Sequence, residues 1–130
     1  MATSPSIPVQ SYRDLIAWQK AMALAREVYR ITETFPRVET YGLIAQLRRA
    51  AVSIPSKIAE GHEHATGDYR NFLGHALGAL MEIETQLLLS EDLSYLEKQK
   101  AECLLARTAE LAKILHGLSR SLRIRINSAS

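Results

Sequence analysis

The stretch YRNFLGHALGALMEIETQL, residues 69–87, decides the fold. Tyr69, Leu73, Ala76, Leu80, Ile83 and Leu87 recur four and three residues apart without a break. That is the period of one helical face; a strand would alternate every second residue. Working outward, this third helix begins near Thr66 or Gly67 and ends about Leu89. A fourth opens between Ser94 and Glu97 and carries Ala101, Leu104, Thr108, Leu111, Leu115, Leu118 and Leu122 at the same spacing. Upstream, Val38 to Glu60 reads as a second helix, with Leu43, Leu47, Ala50, Ile54 and Ile58 inward and Gly61 as its C-terminal cap. Pro55 removes the hydrogen bond to the Ala51 carbonyl and should kink or split that helix. A first helix opens at Ser11, an N-cap with Asp14 three residues on. It buries Leu15, Trp18, Met22, Ala25 and Tyr29 and stops at Phe35-Pro36. Connections are short, so successive helices should be antiparallel neighbours; only Arg123 to Ile126 hints at strand alternation. The expected fold is all-α, an antiparallel up-down four-helix bundle over residues 11–126, with a disordered segment at 1–10 and a tail at 127–130.

The chain has 130 residues, enough for one domain with one core. Its 16 Lys and Arg against 14 Asp and Glu leave a net charge of +2, which excludes the composition of a generally basic nucleic-acid binder. The balance conceals a split: residues 1–57 carry 8 basic and 4 acidic side chains, residues 58–110 carry 4 and 10, and residues 111–130 carry 4 and none. One cysteine, Cys103, implies no disulfide framework and reads as a small core or boundary residue. Residues 1–10 lack the long apolar run of a signal peptide, and no stretch approaches the ~20 apolar residues of a membrane span. A cytoplasmic protein without a membrane partner is expected.

Residues that the seams leave over carry the functional reading. On the second helix Gly42, Gln46, Arg49, Ser53, Ser56, Lys57 and Glu60 form a polar stripe, and Ile44, Ala51, Val52, Pro55 and Ala59 add a second apolar face. Apolar residues then span about 220° of that helix where a surface helix needs about 100°. Self-association would cover the excess. On the third helix Gly74 and Gly78 lie opposite the seam with Glu82, a place where glycine is unfavourable unless another backbone comes close. Gln46, Arg49, Ser53, Pro55, Glu60, Gly74, Gly78 and Glu82 are therefore candidates for a subunit interface or polar network, with Glu60 or Glu82 neutralising Arg49. A phosphate-binding patch of Arg48, Arg49 and Lys57 is the alternative. Lys113, Arg120, Arg123 and Arg125, with no acid after Glu110, either compensate the dipole of the fourth helix or contact nucleic acid.

No catalytic chemistry emerges, and an enzyme is not expected. His62-Glu63-His64 beside Glu60 resembles a ligand cluster but lies in a loop, and the Glu-x-x-His pairs of a di-iron bundle are missing. There is no glycine-rich phosphate loop and no nucleophile elbow. No metal, cofactor or small-molecule substrate is implied.

Ser11-Tyr12-Arg13-Asp14-Leu15 through Trp18-Gln19-Lys20-Ala21 opens a resemblance that runs on through Tyr41-Gly42-Leu43, Gln46-Leu47-Arg48-Arg49-Ala50-Ala51-Val52-Ser53-Ile54-Pro55 and Ile58-Ala59-Glu60-Gly61. With Phe72-Leu73 and Ala76 to Gln86, this is similar to the bacterial 23S rRNA intervening-sequence protein family, over about Tyr12 to Leu96. The resemblance implies a left-handed antiparallel four-helix bundle assembled as a homopentameric ring, with no catalytic activity. A related pentameric bundle is the accessory protein of reverse transcriptases in diversity-generating elements, where it binds nucleic acid and the enzyme. This chain has Lys57 where the family usually has asparagine, His64 near an arginine position and Ala79 at a serine position, so contacts of those side chains do not transfer. Two readings follow: a ring-forming bundle that binds structured RNA or DNA through basic residues, or a protein–protein scaffold with no nucleic-acid partner.

Overall fold

The computed structural model describes residues 11–129, with side chains through Ile124. The expected disordered segment 1–10 and the side chain of Arg125 lie outside the described residues. Among those described are four α-helices and no strand: α1 Ile16–Thr32, α2 Leu43–His62, α3 Thr66–Asp92 and α4 Lys98–Ala129. Among the described residues each helix packs against its neighbours in the chain, α1 closes on α4, and the backbones of the diagonal pairs stay apart. The connection between α2 and α3 is short, so the end of α2 meets the start of α3. Gln46 and Gln86 meet at the other end of the pair.

Leu24, Val28, Leu47, Ile54, Ile58, Leu73, Leu80, Ile83, Leu87, Leu111 and Leu115 are fully buried, so all four helices feed one core. Each such side chain contributes about 1.5–3 kcal/mol of apolar transfer. Three buried hydroxyls are satisfied within their own helices: Thr32 Oγ1 donates to the Val28 carbonyl at 2.8 Å, Ser90 Oγ to Gln86 at 2.7 Å and Thr108 Oγ1 to Leu105 at 2.8 Å. The seams read for α3 and α4 face inward as expected, with only Leu118 partly exposed.

The α1 seam does not. Ala17, Ala21, Leu24, Ala25, Val28 and Thr32 are buried, whereas Trp18 and Met22 are half-buried and Tyr29 is exposed. The inward face is turned by about 90° from the bulky stripe. Alanines let α1 approach its neighbours closely, and the larger residues are left on the flank. Ser11 does form its capping box with Asp14, but on a 3-10 turn, Tyr12–Asp14; extended backbone at Leu15 separates that turn from α1.

The stretch before α2 is a 3-10 turn, Arg37–Glu39, so the helix expected from Val38 starts five residues later. Glu39 explains the delay. Its Oε1 accepts from the Leu43 amide at 3.1 Å and its Oε2 accepts from the Tyr95 hydroxyl at 3.0 Å, tying the start of α2 to the α3–α4 turn. A Cβ at Gly42 would lie 2.5 Å from that Oε1. Helix α2 then continues through the buried Pro55 without splitting. Gly61 is not a C-terminal cap: it is helical and buried, and a Cβ there would meet Phe72 Cβ at 2.8 Å and Tyr69 Cδ1 at 2.9 Å. After α3 the chain reverses at Ser94, φ 62°, with the Tyr95 amide donating to Ser90 and the Ser94 amide to Glu91, the Schellman arrangement. At the far end α4 runs helically through Arg123–Ile126 to Ala129, because nothing there breaks a helix, so neither a strand nor a boundary at residue 126 is found.

Gly61→Ala should destabilise the chain by about 1–3 kcal/mol, read as a lower thermal midpoint. The Glu39 hydrogen bond, then desolvation and the Glu39 charge, raise the Tyr95 pKa above 10.0. A raised folded pKa gives stability that is complete below the unfolded value and lost as pH climbs through the folded one. Tyr95→Phe should therefore flatten the fall in thermal midpoint above about pH 10, while Tyr69, whose pKa burial raises, retains its own alkaline loss.

Candidate functional site

The bulky α1 stripe and the surplus apolar face of α2 meet. Tyr12, Trp18, Met22, Ala25 and Tyr29 line one side of an open groove, and Val52, Pro55 and Ala59 line the other, enclosing about 640 Å³. Arg26, Arg30, Glu33 and Ser56 stand at its rim. Local structure holds the walls. The Ser11 capping box seats Tyr12, whose ring meets Trp18 edge-on at 5.4 Å, and Gln19 Nε2 donates to the Arg13 carbonyl at 2.9 Å. At the other end the Arg48 guanidinium lies 4.6 Å from the Tyr29 ring centroid. Its Nε donates to Thr32 Oγ1 at 2.9 Å and its NH2 to the Tyr29 carbonyl at 3.3 Å. Arg48 thus clamps α1 to α2 instead of facing a phosphate.

The residues singled out from the sequence separate into distinct groups. Lys57 lies 3.7 Å from Glu60 and over the Phe72 ring at 5.7 Å, so its charge is engaged within the chain. Gln86 Nε2 donates weakly to Gln46 Oε1 at 3.5 Å, and Ser53 Oγ donates to the Ala50 carbonyl at 3.0 Å. Arg49 and Glu82 are exposed and form no ion pair among the described residues, so the expected neutralisation of Arg49 by Glu60 or Glu82 is not made within the chain. Eleven residues, about 16 Å of helix, separate Arg49 from Glu60, which Lys57 reaches first, and Arg48 and Arg49 point about 100° apart. Arg48, Arg49 and Lys57 therefore do not converge. Pro55 is on the groove floor, but Gly74 and Gly78 lie away from it on α3, where an added Cβ would meet nothing within 4 Å. Lys113, Arg120 and Arg123 are exposed on one side of α4 with no ion pair among the described residues, and His116 lies among them.

His64 Nδ1 sits 2.6 Å from the Glu60 carbonyl and its ring packs near Phe72, so the His62–His64 stretch serves the α2–α3 turn. No cluster of three metal-ligating side chains occurs among the described residues. Cys103 is exposed and not a core residue; it lies at a smaller cavity of about 290 Å³ between the end of α1 and the start of α4. The sequence reading placed Trp18, Met22 and Tyr29 in the core and missed them as groove residues. The available signal was a second, alanine-rich stripe on the same helix. No described helix is long and apolar enough to cross a membrane.

A family model described as 23S rRNA-intervening sequence protein matches residues 13–117. The fold is similar to that of a protein of unknown function from the S23 ribosomal protein family of Bacteroides thetaiotaomicron, with a TM-score of 0.72 and 21% identity over 80% of this chain and 98% of that one. No curated protein matches.

Arg48→Met should keep the aliphatic packing but lose two hydrogen bonds from a charged donor, lowering stability by about 1.5–3 kcal/mol in thermal or urea unfolding.

Proposed function

The chain belongs to the 23S rRNA-intervening sequence protein family, and we propose that it is a non-enzymatic, self-associating bundle whose α1–α2 groove is covered by another copy. The observation that carries this is the groove itself. Three large side chains, Trp18, Met22 and Tyr29, stand beside Val52 on one continuous open surface. Isolated exposed apolar residues are ordinary, whereas a contiguous patch rimmed by charges is the usual mark of an interface. The antiparallel arrangement rests on the short connections between successive helices, the left-handed twist and the ring of five copies rest on the family resemblance, and residence in the cytoplasm is part of the same reading.

A second reading concerns what the assembly binds. Lys113, Arg120 and Arg123 are exposed on α4 and form no ion pair among the described residues, so in a ring they recur once per subunit and form a basic rim suited to structured RNA. Arg49 is the one member of the α2 basic group left free for the same purpose. Without nucleic-acid binding the same bundle is a protein–protein scaffold.

Light scattering at micromolar concentration should give a multiple of the 14.5 kDa chain mass, and Val52→Glu should return it to the monomer with helical circular dichroism intact. A wild-type monomer overturns the assembly. RNA affinity should fall as salt rises, and Arg120→Glu with Arg123→Glu should weaken binding and flatten that slope. Binding that is undetectable at low salt, or indifferent to salt, leaves the scaffold.

A further inference from the structure

Helix α3 carries two seams. The inner one faces the core. The other, Gly74, Gly78, Met81, Thr85 and Leu88, repeats at the same four-three spacing on the opposite side and is exposed along its length. Met81 is 50% and Leu88 46% exposed, and both glycines look onto open space. On a solvated face each glycine costs about 1 kcal/mol relative to alanine; under a docked partner it permits a closer approach. The α1–α2 groove is open and has the small residues Ala25 and Ala59 among its larger lining side chains, which leaves a hollow between the two helices.

Charge agrees with shape. Helices α1 and α2 together carry six basic and two acidic side chains, and α3 carries one basic and five acidic. None of this difference is neutralised between them inside the chain. The ion pairs among the described residues are Lys20–Glu110, joining α1 to α4, and three pairs internal to α1, α2 and α4. Arg26 at the groove rim and Glu82 beside the outer seam are both exposed and form no ion pair among the described residues.

Building on the self-association reading above, we propose that the groove of one copy receives the outer seam of α3 from the next copy, in a head-to-tail contact. Groove against groove would set Arg26 against its own copy, a like-charge contact that disfavours the symmetric pair. A ridge and a groove on different faces of one chain make a heterologous contact, which closes into a ring when the rotation between copies permits.

Disulfide trapping tests the pairing. In a Cys103→Ser background, Val52→Cys and Met81→Cys change two half-exposed positions outside the core. The doubly substituted chain should form a ladder of disulfide-linked multimers under mild oxidation, each single variant should stay unlinked, and mixed single variants should link only as dimers. Gly78→Trp, projecting into open space in the isolated chain, should lose assembly with its thermal unfolding retained. Linking by Val52→Cys alone, or an unlinked double variant whose light-scattering mass is that of the full assembly, overturns the head-to-tail pairing and leaves self-association standing. A monomeric wild type overturns both.

Discussion

A side chain at position 61 would meet Phe72 Cβ at 2.8 Å, so α2 and α3 come together only because Gly61 has none. Much else depends on that approach. It lets α2 turn into α3 within a few residues, with His64 packed near Phe72 and His62 near Tyr69. It also sets the register that brings Gln46 to Gln86 and aligns Leu47, Ile54 and Ile58 with Leu73, Leu80 and Ile83 in one core. With one side of α2 committed to α3, its neighbouring side is taken by α1 through the Arg48 clamp. Two partners do not cover all of its apolar perimeter. Val52, Pro55 and Ala59 remain to form the groove with α1.

Helices α3 and α4 were legible because on each only one heptad stripe is apolar, interrupted on α4 by Thr108 alone; the outer stripe of α3 is broken by two glycines and a threonine. Period determines which residues share a face, but it does not say which of two faces turns inward. Helix α1 has two, one bulky and one rich in alanine, and helix-to-helix distance decides between them. Alanine won because it is the stripe that packs α1 against α2 and α4, and the bulky stripe became the candidate site. Gly61 illustrates a related loss: the sequence marks a glycine near a helix end, where a left-handed cap and a close approach look alike. No glycine here has positive φ, so close approach was the meaning at position 61.

Glu39 and Tyr95, 56 residues apart, were not legible at all. A carboxylate that both caps α2 and accepts from a tyrosine on the far turn depends on a loop-to-loop meeting that no helical period encodes. The same holds for Arg48. Its neighbour Arg49 made the pair look like a basic patch, whereas the backbone sends one inward to Thr32 and Tyr29 and leaves the other in solvent. Residue type announced the charge; only helix direction assigned it a task.

The split in charge along the chain now has a spatial form. Helices α1 and α2 hold an excess of bases and α3 an excess of acids, yet α2 and α3 share their closest contact through apolar side chains and a glutamine pair. Opposite charges on touching helices that do not pair internally are available at the surface, where screening makes each exposed pair worth at most about 1 kcal/mol. Their value to this fold is therefore in selecting partners and orientation. An assembly that relied on the apolar groove alone could pair in several ways. Segregated charge on the groove-bearing and ridge-bearing helices penalises like faces and favours unlike ones, so a nearly neutral chain can still specify how its copies meet.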